Sequence, residues 1–243
     1  MRRATVVGVL VGLALVNGAC SSDGMGAAPT AVSPDPATTA LAAAIDIRAT
    51  GCRPADVRGA GALIDGDHIL TAAHVVAGAD SISVRSAAPG APAIAARVVA
   101  IDPLRDLALL DVDLSNLAQL RPLHIAGGAV GAGGDTGSVV LFRDGVAVSV
   151  PYSIGRRVVV NILDIHHEHE VSRPGYEVEI AIAAGDSGAV MVAASGRAIG
   201  VLYAKSRAVD TRAFATDTGS VDALVAAAEG VDPAVGINSG ECV

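Results

Sequence analysis

The 243-residue chain has no tryptophan, two phenylalanines and three tyrosines. With so few large rings its core must be built from small aliphatic side chains, and the 51% apolar share, rich in Ala and Val, is ample for that. Lysine occurs once, at Lys205, so nearly all positive charge is arginine, and the formal charge is −8. The chain also lacks a basic run that could neutralise phosphates, which argues against nucleic acid as a partner. Nothing in the sequence calls for a cofactor. The length suits one large domain or two small ones.

What is present begins with a targeting segment over residues 1–19. Arg2 and Arg3 precede an apolar stretch from Ala4 to Val16, too short for a typical membrane-spanning helix. Asn17-Gly18-Ala19-Cys20 follows, and small residues before a cysteine resemble the lipobox of bacterial lipoproteins. In that reading Cys20 becomes the acylated first residue of the mature protein and gives it membrane contact through a lipid anchor. The alternative is an ordinary secretory signal cleaved nearby. Either route implies export, to the cell envelope or beyond. If Cys20 carries lipid, Cys52 and Cys242 remain, and an oxidising compartment favours a disulfide between them over two free thiols.

Residues 20–44 are mostly Ala, Pro, Ser, Thr and Gly, and Ser33-Pro34-Asp35-Pro36 resists regular structure, so the segment reads as a flexible tether ahead of a folded domain at 45–243. Within that domain, strand patterns recur. Gly61–Ile64 and His68–Thr71 flank the turn Asp65-Gly66-Asp67, and the small-residue segment Thr71–Val76 carries His74 in what suits a short helical turn. Ser81–Arg85, Ala93–Ile101 and Asp106–Leu110 continue the pattern. A link over 114–134, glycine-rich after Pro122, separates this group from a second: Ser138–Phe142, Val146–Val150, Arg157–Ile165, Tyr176–Ile182, Ala189–Ala193 and Ala198–Ala204. Gly219-Ser220 can cap a helix over Val221–Ala228, with Gly230 as its stop. Hairpins on both sides of the link, with little helix, predict an all-β fold of two antiparallel barrels at about 58–113 and 135–218.

The sequence Ala183-Ala184-Gly185-Asp186-Ser187-Gly188-Ala189 places one serine among glycines between two apolar runs. Serine needs a neighbouring base to become a nucleophile, histidine supplies one near neutral pH, and a carboxylate on the other imidazole nitrogen fixes the tautomer. His74, Asp106 and Ser187 occur in that order. T-A-A-H-V at 71–75, D-L-A-L-L at 106–110 and G-D-S-G at 185–188 resemble the three signatures of the chymotrypsin/trypsin-like serine proteases, over roughly residues 58–229 and with the short spacing of compact bacterial members. That resemblance implies two six-stranded β-barrels with the active site between them. It assigns His74 as general base and acid, Asp106 as orienting acid, Ser187 as nucleophile and the N–H groups of Gly185 and Ser187 as the oxyanion hole. It also implies hydrolysis of peptide bonds in a protein or peptide substrate through an acyl-enzyme. Ala181, six residues before the serine, would form the floor of the primary pocket and favour a small or apolar residue before the cut, while Tyr203 on its wall would partly block it.

Three departures accompany the resemblance. Ala189 stands where glycine is usual, no activation cleavage site precedes the first barrel, and Asp186 therefore needs another cationic partner, with Arg156 and Arg157 as candidates. These departures leave a second reading: a weak or inactive member of the fold serving as an extracytoplasmic binding module. The cluster Asp164-Ile165-His166-His167-Glu168-His169-Glu170 reads as a polar hairpin tip rather than a metal site, although His167 and His169 would share a face of a strand.

Overall fold

The computed structural model describes residues 35–242 apart from 52, 66, 118, 128 and 129. The expected signal segment, Cys20, most of the expected tether and Cys52 lie outside the described residues. Six strands alternate around the first core: β1 (Ala44–Thr50), β2 (Val57–Ile64), β3 (His68–Thr71), β4 (Ser81–Ser86), β5 (Ile94–Asp102) and β6 (Leu107–Val112). They close antiparallel in the order β1-β2-β3-β6-β5-β4, with β4 pairing back onto β1. The second set is β7 (Thr136–Arg143), β8 (Val146–Leu163), β9 (Glu170–Glu179), β10 (Val190–Ala193), β11 (Ala198–Lys205) and β12 (Arg212–Asp217). It closes in the equivalent order, β7-β8-β9-β12-β11-β10. Closure gives each barrel wall paired strands on both sides, while the outer part of the β8–β9 hairpin, residues 159–163 against 170–174, pairs only with itself and projects beyond the second barrel. The two six-stranded antiparallel barrels expected from the sequence are thus the fold.

The first barrel is filled by Ile45, Ile47, Ile69, Leu70, Leu107 and Leu109. The second uses Leu141, Ile154, Val178, Met191 and the fully buried Tyr176. Burial raises the Tyr176 hydroxyl above the usual phenol range, and that hydroxyl donates to the Val130 carbonyl.

Several elements differ from the sequence reading. Strands β1 and β12 carry no strong alternation signal and were not anticipated. The two strands expected at 146–150 and 157–165 are one, β8, which runs through Pro151 and Gly155. The expected tether ends earlier than residue 44, because Pro36–Ala43 form helix α1. Asp35-Pro36, read as a breaker, is a helix start. The Asp35 carboxylate accepts the Thr38 N–H at 3.0 Å, and proline fits the first turn, where its missing N–H would have no partner. Ala40 and Ala43 are buried as α1 packs on β7, β8 and β10.

Short helix α2 (Ala73–Val76) follows β3 directly, and α3 (Val221–Ala228) packs on β5 and β6. Ser220 occupies the cap position of α3, but its hydroxyl makes no cap hydrogen bond. Among the described residues no helix is long and apolar enough to cross a membrane. The C-terminal tail runs along the first barrel. The Ile237 N–H donates to the Val98 carbonyl at 2.8 Å, and the Ser239 hydroxyl accepts from the Gly78 N–H at 3.0 Å and donates to the Val76 carbonyl. Cys242 at its end is disulfide-bonded.

The 164–170 cluster is a tight turn rather than a strand, so His167 and His169 do not share a strand face. The buried Asp164 carboxylate organises it, accepting the His166 and Glu168 N–H groups and contacting His169 Nδ1, each at 3.0 Å. Among the described residues no three His, Cys, Asp or Glu side chains converge to hold a metal ion.

Two outcomes follow from these contacts. Ser239→Ala strips a partner from the chain that follows α2 and should lower the unfolding free energy by about 1 kcal/mol in a denaturant titration. The Asp164 carboxyl is held below its ordinary value, chiefly by the Glu168 N–H and then by His169 and the His166 N–H. A depressed carboxylate contributes stability above about pH 4 that is lost as pH falls below that range. The melting-temperature gap between wild type and Asp164→Asn should therefore narrow between pH 6 and pH 3.

Candidate active site

His74 sits in the first turn of α2, delivered by the sharp exit of the chain from β3. Its Nδ1 lies 2.8 Å from one Asp106 oxygen and 3.0 Å from the other, and its backbone N–H donates to the same carboxylate at 2.9 Å. Asp106 is 3% exposed and stands just before β6, not in the strand. Its φ of 58° is left-handed, a conformation that aspartate tolerates better than most residues. That kink aims the carboxylate at His74. Nδ1 is thereby committed to the acid, which leaves Nε2 as the free nitrogen of the ring.

Ser187 comes from the other barrel, on the loop between β9 and β10. Two glycines shape that loop. Gly185 has φ of 95° and Gly188 φ of 87°, and a Cβ on Gly188 would lie 2.1 Å from the Ala60 carbonyl oxygen. No larger residue fits the second position. In exchange, the loop docks on the first barrel: the Ala60 N–H donates to the Ser187 carbonyl at 2.8 Å. Gly188 N–H donates to Leu202 O at 2.7 Å. The Gly185 and Ser187 N–H groups have no acceptor among the described residues. Ala189 is buried in the second core at a non-positive φ, so its methyl group packs without strain.

His74, Gly185 and Ser187 line one cleft of about 630 Å³, shared with Val57, Arg58 and Ala184. No hydrogen bond joins His74 and Ser187 among the described residues. Beyond Gly185 lies a second cavity of about 760 Å³, bordered by Arg58, Arg85, Arg143 and Asp144.

Asp186 is fully buried, and its partner is neither Arg156 nor Arg157. Arg143, at the tip of the β7–β8 hairpin, meets it with both terminal nitrogens, one of them at 2.7 Å. The pairing drives the Arg143 guanidinium above its ordinary value, with the Asp186 hydrogen bond as the main cause. The Ala183 N–H completes the carboxylate's bonds at 2.7 Å. Arg156 instead binds Glu177, and Arg157 lies over the Tyr176 ring. In the sequence Arg143 stands in Arg143-Asp144-Gly145, between the expected strands Ser138–Phe142 and Val146–Val150, and an arginine flanking a turn is too common to be a signal.

Neither Ala181 nor Tyr203 borders the 630 Å³ cleft. Ala181 is exposed on the chain leaving β9, and Tyr203 is buried, with Arg173 over its ring at 4.7 Å. Burial raises the Tyr203 hydroxyl above the usual phenol range.

Comparison with known proteins matches this geometry to a family. The model of the trypsin-like peptidase domain matches residues 59–201. The serine protease Rv3671c of Mycobacterium tuberculosis is 29% identical over 188 residues, 77% of this chain and 45% of the relative. A probable periplasmic serine endoprotease, DegP-like, from Pseudomonas putida is 28% identical over 153 residues, 61% of this chain and 29% of the relative. The chain thus spans less than half the length of these curated relatives. A crystal structure of the Rv3671c protease in its active form superposes with a TM-score of 0.73 at 26% identity, covering 90% of this chain and 98% of that one. An inactive form of the same protease gives 0.65, covering 81% and 94%. A family model matching more than half the sequence, and solved relatives of the same two-barrel fold, show that the chain belongs to the trypsin-like peptidase domain family.

Proposed function

We propose that the protein is an exported serine endopeptidase that hydrolyses peptide bonds through an acyl-enzyme, with His74, Asp106 and Ser187 as its triad. The observation that carries this reading is the doubly bonded His74–Asp106 pair facing the same cleft as Ser187. Ser187 Oγ attacks the substrate carbonyl carbon while His74 Nε2 takes its proton. The tetrahedral oxyanion accepts the Gly185 and Ser187 N–H groups. His74 then passes the proton to the leaving amine, the C–N bond breaks, and an ester joins the acyl group to Ser187. Water attacks that ester with His74 again as base, releasing the carboxylate product and restoring the serine. Asp106 stabilises the imidazolium in both halves.

Arg143 supplies the charge that Asp186 needs without any cleavage to create a new N-terminus, so the nucleophile loop is assembled in the intact chain. The greater similarity to the active than to the inactive form of the mycobacterial relative supports the same reading. The binding-module alternative loses its main supports: Asp186 is paired, Ala189 packs cleanly and Tyr203 is buried away from the cleft. Export follows from the N-terminal segment, with Cys20 as the lipid-bearing residue of an envelope-anchored form. Cys52 is the proposed partner of Cys242; its neighbour Gly51 lies against Asp80, two residues from the Gly78 that touches Cys242.

A fluorophosphonate probe should label the wild type, and Ser187→Ala should abolish labelling and lower peptide hydrolysis by more than about 10⁴-fold. A folded wild type that stays unlabelled from pH 6 to 9 would overturn the enzyme reading. Arg143→Met removes both guanidinium bonds and the counter-charge from a buried carboxylate, leaving it the Ala183 N–H. It should cost about 1–3 kcal/mol of stability, tempered by water reaching the half-exposed arginine side, and slow labelling at least tenfold. Peptide mapping by mass spectrometry without reductant should recover a Cys52–Cys242 crosslinked pair.

A further inference from the structure

A second arginine reaches the candidate site from behind. Arg173, on β9 of the second barrel, is 3% exposed. Its Nε donates to the Leu104 carbonyl at 3.2 Å, its guanidinium lies over the Tyr203 ring, and its Nη1 is 3.6 Å from an Asp106 oxygen. The last distance is too long for a hydrogen bond but close for two charges in a buried setting. Nη2 has no hydrogen-bond partner among the described residues.

A cation this deeply buried needs a counter-charge, and among the described residues the Asp106 carboxylate is the one within ion-pair reach. The carboxylate in turn accepts hydrogen bonds only from His74 among the described residues. The elements packed around Asp106 therefore present His74 from α2, Arg173 from β9 and the Tyr203 phenol from β11. On the turn itself, Arg105 and Asp102 pair with each other at the surface. The same turn is gripped a second time by the second barrel, where the Thr216 hydroxyl of β12 donates to the Arg105 carbonyl at 2.9 Å.

We infer that Arg173, backed by Tyr203, is a positioning residue for the triad: it fixes the turn that bears Asp106 and offsets part of the carboxylate's charge, so that His74 stays an unprotonated base to lower pH. The inference rests on the protease reading above and deepens it. Without the guanidinium, an imidazolium on His74 faces an uncompensated Asp106 and is held more firmly. A higher pH is then needed to free the base.

The test is the pH dependence of fluorophosphonate labelling of the intact chain. In Arg173→Gln the acid limb should move up by about 0.5–1 pH unit, and in Arg173→Lys, which keeps the charge, it should stay with the wild type. A purely structural arginine would change the plateau rate and leave the limb in place, and that result overturns the inference. A wild type inert at every pH overturns the protease reading and this one with it. An active wild type whose limb Arg173→Gln shares overturns this one alone. If Arg173→Gln does not fold, the wild type decides by NMR. The Arg173 Nε–H signal should exchange slowly, show contacts to the Tyr203 ring and shift with the midpoint of the acid limb. A signal in fast exchange, or one indifferent to that midpoint, overturns the inference.

Discussion

The hydrogen bond from the Ala60 N–H to the Ser187 carbonyl is the contact on which the site depends. The proposed base and acid belong to one barrel and the proposed nucleophile to the other, so neither barrel holds a complete site. Chemistry of this kind tolerates errors of well under an ångström. The bond pins the serine loop directly to β2, and Thr71 steadies the same point by donating its hydroxyl to the Ala60 carbonyl at 2.7 Å. Gly188 is the cost of that closeness, since any side chain there would collide with the strand. From the opposite side, Arg173 and Thr216 hold the turn before Asp106. The cleft is thus fastened at both ends by contacts that cross between barrels.

The near absence of lysine has a structural counterpart. The charged contacts that matter most join arginine to aspartate: Arg143 with Asp186, Arg173 with Asp106 and Arg85 with Asp46. In each, the carboxylate is buried. A planar, multivalent donor can satisfy one carboxylate and a carbonyl or ring together, as Arg173 does, and a lysine ammonium cannot match that geometry.

The two barrels and the three catalytic candidates were legible because their signals are local. Alternation reads out a strand, and T-A-A-H-V, D-L-A-L-L and G-D-S-G each keep their chemistry within a few residues. What escaped was set by distant contacts. Strand β1 is identified by its pairing with β2 and β4 rather than by its own pattern. Asp35-Pro36 can break a chain or begin a helix, and only the surface offered by β7, β8 and β10 decides in favour of α1. The partner of Asp186 lies 43 residues away on a hairpin tip, beyond the reach of spacing arguments. Arg173 left no trace either, since a strand arginine is ordinarily solvated, and its burial depends on Tyr203 and Leu104 arriving from elsewhere.

The two terminal helices complete a reciprocal arrangement. Helix α1 enters the chain just before the first barrel yet packs mainly on the second, and α3 leaves the second barrel yet packs on the first. Each end of the domain is therefore a strap across its counterpart, and the barrels cannot part unless both straps lift together. For a chain proposed to cut polypeptides, the nearest polypeptide is another copy of itself. Self-digestion of such a molecule is governed by how often its segments open, not by how many susceptible bonds it contains. Crossed straps couple the two ends of the domain, so opening either barrel interface requires that both helices detach.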